Sequence, residues 1–117
     1  MIKSIIRDST DVFVCIQGKI NQFDIRDIIY VEHSSRTVFM YTLKGIVYIP
    51  YMPLNQIYQA LGNDYLYQCH KSFLVNRIHI ESIDRTENVV VLKDNMGEIA
   101  VGRKYRARFL KAMHLTE

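Results

Sequence analysis

The sequence is poor in the residues that build covalent or metal-bound scaffolds. Its 117 residues include only two cysteines, Cys15 and Cys69, far apart and outside any CxxC or Cys/His ligand spacing. That argues against a disulfide framework and a zinc finger, and makes a reduced, cytoplasmic setting the expectation. No apolar run approaches the roughly 20 residues of a spanning helix, so no membrane role is expected. The opening MIKSIIRDSTD meets acidic residues with no apolar h-region or small-residue cleavage site, so no secretory signal is read there. Two prolines, five glycines and no repeat or low-complexity tract leave no linker. Also missing are GxSxG, a Gly-rich phosphate loop, HExxH and an acidic calcium loop, so neither enzyme, cofactor nor metal is expected. Asp24/Asp27 and Glu81/Asp84 read as exposed turn or strand-edge carboxylates. Cys69 and His70 are adjacent on an extended segment and point to opposite faces, so they cannot act together as nucleophile and base.

What remains is a folded domain. The 49% hydrophobic and 23% charged residues suit one hydrophobic core, and 1–117 is read as a single domain. Most of it reads as short strands: 12–16, 25–32, 37–43, 46–51, 78–84, 88–94 and 98–102, separated by turn residues such as Gly18-Lys19 and Lys44-Gly45. One stretch changes period. Leu54, Ile57, Tyr58 and Leu61 have helical spacing between Pro53, suited to a first turn, and Gly62, suited to a helix end. From Arg103 the pattern is helical again. The expected fold is mostly β, with one short internal helix and a basic C-terminal helix.

The net charge of +3 is too small to identify an acidic partner. Its distribution says more. Residues 103–117 carry five of the fifteen basic side chains against Glu117 alone, a net +4, which leaves residues 1–102 at −1. Three donor-rich clusters stand at element junctions: His33-Ser34-Ser35-Arg36, His70-Lys71-Ser72 and Gly102-Arg103-Lys104. Arg and Lys donate to phosphates or to guanine O6/N7, and Ser hydroxyls and junction amides suit phosphate oxygens. Each cluster read singly is more readily a solvated loop than a contact site.

The stretch YLYQCHKSFLVNRIHIESID (65–84) is more specific, and resembles the signature of the LytTR family, DNA-binding output domains of bacterial response regulators. The motif core stands as Cys69-His70-Lys71-Ser72-Phe73-Leu74-Val75-Asn76, with the following strand at His79–Ile83. Asp27–Glu32 is similar to the family's first strand, and Val101-Gly102-Arg103-Lys104-Tyr105 to its closing element, so the likeness covers about 12–113.

The resemblance implies an elongated, multi-sheet β fold that binds double-stranded DNA through loops entering successive major grooves. Carried over, the first loop is His33, Ser34, Ser35 and Arg36, reaching to Val38; the second group is Lys71 with Ser72, and the third Arg103 with Lys104. Lys71 and Arg103 are the expected base readers; Arg36, Ser72 and Lys104 are the expected phosphate contacts. His70 and Asn76 read as structural. Gln68 stands where relatives often carry Arg, and Val38 could offer only apolar contact, for instance to a thymine methyl. The expected partners are paired DNA half-sites, a second protomer on DNA, and a separate histidine-kinase or receiver protein. No phosphorylatable receiver fits within residues 1–25, so the chain reads as a stand-alone protein or an excised output domain. The rival reading is a LytTR-like protein-interaction module that modulates a relative without touching DNA.

Overall fold

Two short apolar pairs near the start, Ile5-Ile6 and Val12 with Val14, open an antiparallel meander. In the computed structural model, which describes residues 3–115, it comprises β1 (Lys3–Asp8), β2 (Asp11–Ile16) and β3 (Lys19–Asp24) in the order β1-β2-β3. Glu117, counted in the C-terminal charge, lies outside the described residues. Neither β1 nor β3 is anticipated by the sequence. Both are edge strands with polar ends, and β3 leaves Ile20 exposed, so neither shows clean alternation.

The strand expected over 25–32 is divided. Ile25–Asp27 forms a 3-10 turn capped by Asp24, whose Oδ1 accepts the Arg26 N–H at 2.8 Å. The strand proper, β4, is Ile28–Ser34. It pairs with β5 (Thr37–Thr42), which pairs with β6 (Gly45–Pro50). After the helix α1 (Leu54–Leu61), β7 (Leu66–His70) and β8 (Phe73–Asn76) return to β4's other edge, completing a five-stranded sheet of order β6-β5-β4-β8-β7. A third sheet, β11-β10-β9, joins β9 (Ile80–Asp84), β10 (Val89–Leu92) and β11 (Glu98–Ala100), followed by α2 (Arg106–Ala112).

Period-two alternation makes the central sheet a wall between two cores. Val31, Val38, Met40, Ile49 and Leu74 face the first sheet and α1, where Val12, Val14, Ile57 and Leu61 are fully buried. Ile29, Cys69 and Val75 join Val90, Ile99 and Phe109 in a second core under the third sheet and α2. Beyond that cover, the second face carries an aromatic ladder in which Tyr30 stacks on Tyr41 at 4.2 Å and Tyr48 meets Phe39 at 5.4 Å. The resulting body is elongated, 45 × 25 × 23 Å.

Three polar interactions fix the joints. Arg7 grips Asp64 with two nitrogens, one bond at 2.7 Å, and donates to the Leu61 carbonyl at 2.6 Å, which ties β1 to the end of α1. That hydrogen bond holds the Asp64 carboxyl below its ordinary range. Gly62 ends α1 at φ +84°, its N–H on the Tyr58 carbonyl at 2.8 Å. Asn76, fully buried, donates to the carbonyls of Ile25 (3.2 Å) and Ile28 (2.8 Å) and accepts the Ile78 N–H, which makes it the structural residue the sequence indicates.

Candidate nucleic-acid interface

The first polar cluster is shorter than its sequence suggests. His33 and Ser34 still belong to β4, and only Ser35-Arg36 turns the chain, at φ 50° and 64°. A two-residue hairpin whose central residues both have positive φ matches the twist of its strands, and normally selects Asn-Gly or similar pairs. Ser and Arg occupy it at a steric penalty of about 1–2 kcal/mol each. Val38 is a correction. It is fully buried in the first core, so no DNA base can touch it.

Register places the second cluster beside the first. β8 runs antiparallel to β4 with Glu32 opposite Phe73, so the Lys71-Ser72 turn between β7 and β8 rises at the same end of the sheet. The His33 N–H donates to the Ser72 carbonyl at 2.9 Å and locks the two hairpins together. The third cluster joins from the other flank, where the Gly102 N–H donates to the Cys69 carbonyl at 2.8 Å. The helix expected from Arg103 starts at Arg106. Residues 103–105 turn first, because the Gly102 carbonyl accepts the N–H groups of both Tyr105 (2.9 Å) and Arg106 (3.0 Å).

The three turns thus stand in a row at one end of the central sheet. With strands about 4.8 Å apart, the two hairpin turns lie about 10 Å from each other and the whole row spans about 17 Å. Ser35, Arg36, Lys71, Arg103 and Lys104 are exposed; His33, Ser34 and Ser72 are half-buried. None of the ion pairs among the described residues uses the four cations of the row. His33 is set back: its ring packs edge-on against Tyr51 at 5.2 Å, and its Nε2 is buried.

His70 organises the middle of the row. Its Nδ1 accepts the Ser72 N–H at 3.0 Å, which leaves the proton of the neutral ring on Nε2. Burial, with the nearby Lys71 charge, pushes the imidazole below its ordinary pKa and favours that neutral form. The ring sits 5.1 Å from that of Phe73. A Cβ on Gly102 would come within 3.3 Å of His70 Cδ2 and of Tyr105 Cδ2, so glycine lets the third turn close against the second without shifting either ring. Gln68 donates to the His70 carbonyl at 3.2 Å, serving the strand at the position where an Arg was noted in relatives.

Cys69 lies under the row, fully buried, with its thiol pushed up to about 12 by burial and its Sγ 3.7 Å from the Ala100 carbonyl. It is protonated and unreactive at neutral pH. No group of three or more His, Cys, Asp or Glu among the described residues could hold a metal ion. No helix among them is long and apolar enough to cross a membrane. One arrangement lies outside the three clusters: the Arg108 guanidinium lies 5.2 Å over the Tyr105 ring. Their i, i+3 spacing in a helical stretch was the available signal.

A family model described as the LytTr DNA-binding domain matches residues 18–114. The transcriptional regulatory protein YpdB of Escherichia coli K12 is 28% identical over 115 residues, covering 96% of this chain and 47% of YpdB. YpdB of the uropathogenic strain CFT073 is likewise 28% identical, with 46% of its length covered. The chain therefore spans about half the length of the curated relatives it matches. Among solved structures, the LytTr DNA-binding domain of a Bacillus cereus response regulator superposes with a TM-score of 0.76 at 19% identity, covering 91% of this chain and 98% of that one. At that identity the likeness establishes the fold.

Proposed function

The chain belongs to the LytTr DNA-binding domain family, and from that premise we propose that it regulates transcription by reading double-stranded DNA with the three turns at the end of its central sheet. The family is one of DNA-binding domains, not of enzymes. The observation that carries the assignment is the row itself: Arg36, Lys71, Arg103 and Lys104 project from three adjacent turns, with the cores set behind them. Rigid strands hold the turns, so little ordering is required on binding.

A row of about 17 Å is half the distance of about 34 Å between successive major grooves. It crosses from one groove, over the intervening phosphates, to the edge of the next. Lys71 and Arg103 take base edges, while Arg36, Ser72 and Lys104 take phosphates; Ser34 and Ser35 complete the first hairpin's contact surface, with His33 set behind them against Tyr51. Two protomers occupy paired half-sites, and a separate histidine-kinase or receiver protein supplies the signal.

Selecting bound duplexes from a random pool tests the assignment, because enrichment of a repeated half-site reports both binding and spacing. If Arg103 is bidentate to a guanine, Arg103→Ala costs about 1–3 kcal/mol and relaxes preference at that one position. Equal losses on selected and random duplexes would make it a phosphate contact instead. No retention on any duplex at low salt would refute DNA reading and leave the protein-interaction module.

A further inference from the structure

The interface does not stop at the third turn. We infer that Arg108, on the solvent-facing side of α2, is an additional DNA contact: a phosphate clamp at the groove rim, positioned by stacking on Tyr105. The inference rests on the DNA-binding reading and extends it to a residue outside the three turns.

The placement follows from how α2 is docked. The helix buries Phe109 and Leu110, which fixes its rotation and turns Arg108 and Lys111 outward along one stripe at i, i+3 spacing. It starts at the contact end, where Gly102 is bonded to Cys69, and packs along β7. Met113 and His114 then border the same depression as Asp64 and Arg77, at the opposite end of β7 and β8. So α2 recedes from the DNA-facing end.

Magnitudes pick out Arg108 from that stripe. At a rise of about 1.5 Å per residue within α2, Arg108 stands about 3 Å and Lys111 about 7.5 Å behind the helix's first residue, Arg106. The major groove is about 8.5 Å deep. With Arg103 at a base edge and Lys104 on a phosphate, Arg108 is the exposed α2 cation nearest the phosphate ridge, and Lys111 lies a turn further from it. Arg108 is also held in place. Its guanidinium lies 5.2 Å over the Tyr105 ring, and that ring packs against Gly102, which touches His70. A stacked guanidinium gives up less side-chain freedom on binding than a free one and keeps its planar fork for a phosphate.

The test is fluorescence anisotropy with the intact chain and a mixed-sequence 30-bp duplex, between 50 and 200 mM KCl. Arg108→Gln should lower the slope of log K against log salt by about 0.9, about fivefold weaker binding at 150 mM, by the same factor on random and selected duplexes. Arg108→Lys, which keeps the charge and loses the planar stack, should keep the slope and bind more weakly than the parent. Lys111→Gln and Lys44→Gln, the latter at the opposite end of the sheet, should leave the slope unchanged. An unchanged slope for Arg108→Gln would overturn the inference while wild-type binding sustained the wider reading. An equal loss from Lys111→Gln would also overturn it, showing a diffuse field in place of a contact. Failure of the wild-type chain to bind any duplex would bring down both.

Discussion

Replacing Arg36 by glycine should make the protein more stable and worse at binding DNA. Arg36 sits at φ 64° in the hairpin turn that follows β4. An L-residue there bears about 1–2 kcal/mol of steric strain, whereas glycine bears none and gives back about 0.5–1 kcal/mol through the greater entropy of its unfolded chain. The net gain is about 0.5–1 kcal/mol. Unfolding entropy of about 2.1 cal/mol/K per residue over a chain of this size makes that about 2–4 °C in Tm. The same change removes one exposed cation from the row, so the salt slope should fall by about 0.9 and affinity at 150 mM by about fivefold. Arg36→Ala separates the two effects: it removes the charge but keeps the strained φ, so binding weakens without the gain in Tm. Thermal unfolding followed by circular dichroism, together with anisotropy across salt, reads both quantities. A glycine variant that melts below the parent would refute the strain argument. One with an undiminished salt slope would remove Arg36 from the phosphate contacts.

Two further outcomes follow from buried polar groups. Asn76→Ala leaves two carbonyls and one N–H without their partner inside the core, and should cost about 3 kcal/mol, or about 12 °C in Tm; a shift under 3 °C would mean that the site repacks or hydrates without penalty. His70 has a folded-state pKa below its unfolded one, so its contribution to stability is fully present above the unfolded value of about 6.5 and is lost as pH falls through the folded value. His70→Asn puts an oxygen in place of Nδ1 as acceptor for the Ser72 N–H and does not titrate, so the difference in melting temperature between wild type and variant should shrink or reverse between pH 7 and pH 5. A difference constant with pH would show that the imidazole does not couple to folding there.

The fold class and the three polar clusters were legible in the sequence; some of the strands that hold the clusters were not. Alternation in 37–43 and 46–51 and the 54/57/61 spacing translate directly into β5, β6 and α1, because each buries one face and exposes the other. β1 and β3 escaped notice because an edge strand over a small sheet has few side chains to bury, and its polar residues mimic a loop. The three clusters were legible as charge at junctions, but their neighbourhood was not. It depends on the β4–β8 register and on the Gly102–Cys69 bond, contacts between residues about 40 and 30 positions apart in the chain. Val38 shows the limit of counting along a loop: two residues past the turn, strand alternation has already taken the side chain inside.

The hairpin turns have a consequence for how such a protein changes its target. Ser35-Arg36 and Lys71-Ser72 are two-residue connections whose side chains contribute nothing to either core. Their backbone positions are set by the strands and by the His33–Ser72 bond. If the tips touch DNA as proposed, substitutions there would alter the contacts while the hydrophobic interior stays untouched. The tips and the core are separate sets of residues, so on the proposed role a duplicated copy could drift to a new operator one turn at a time, with the cost to stability confined to the backbone strain of the turns.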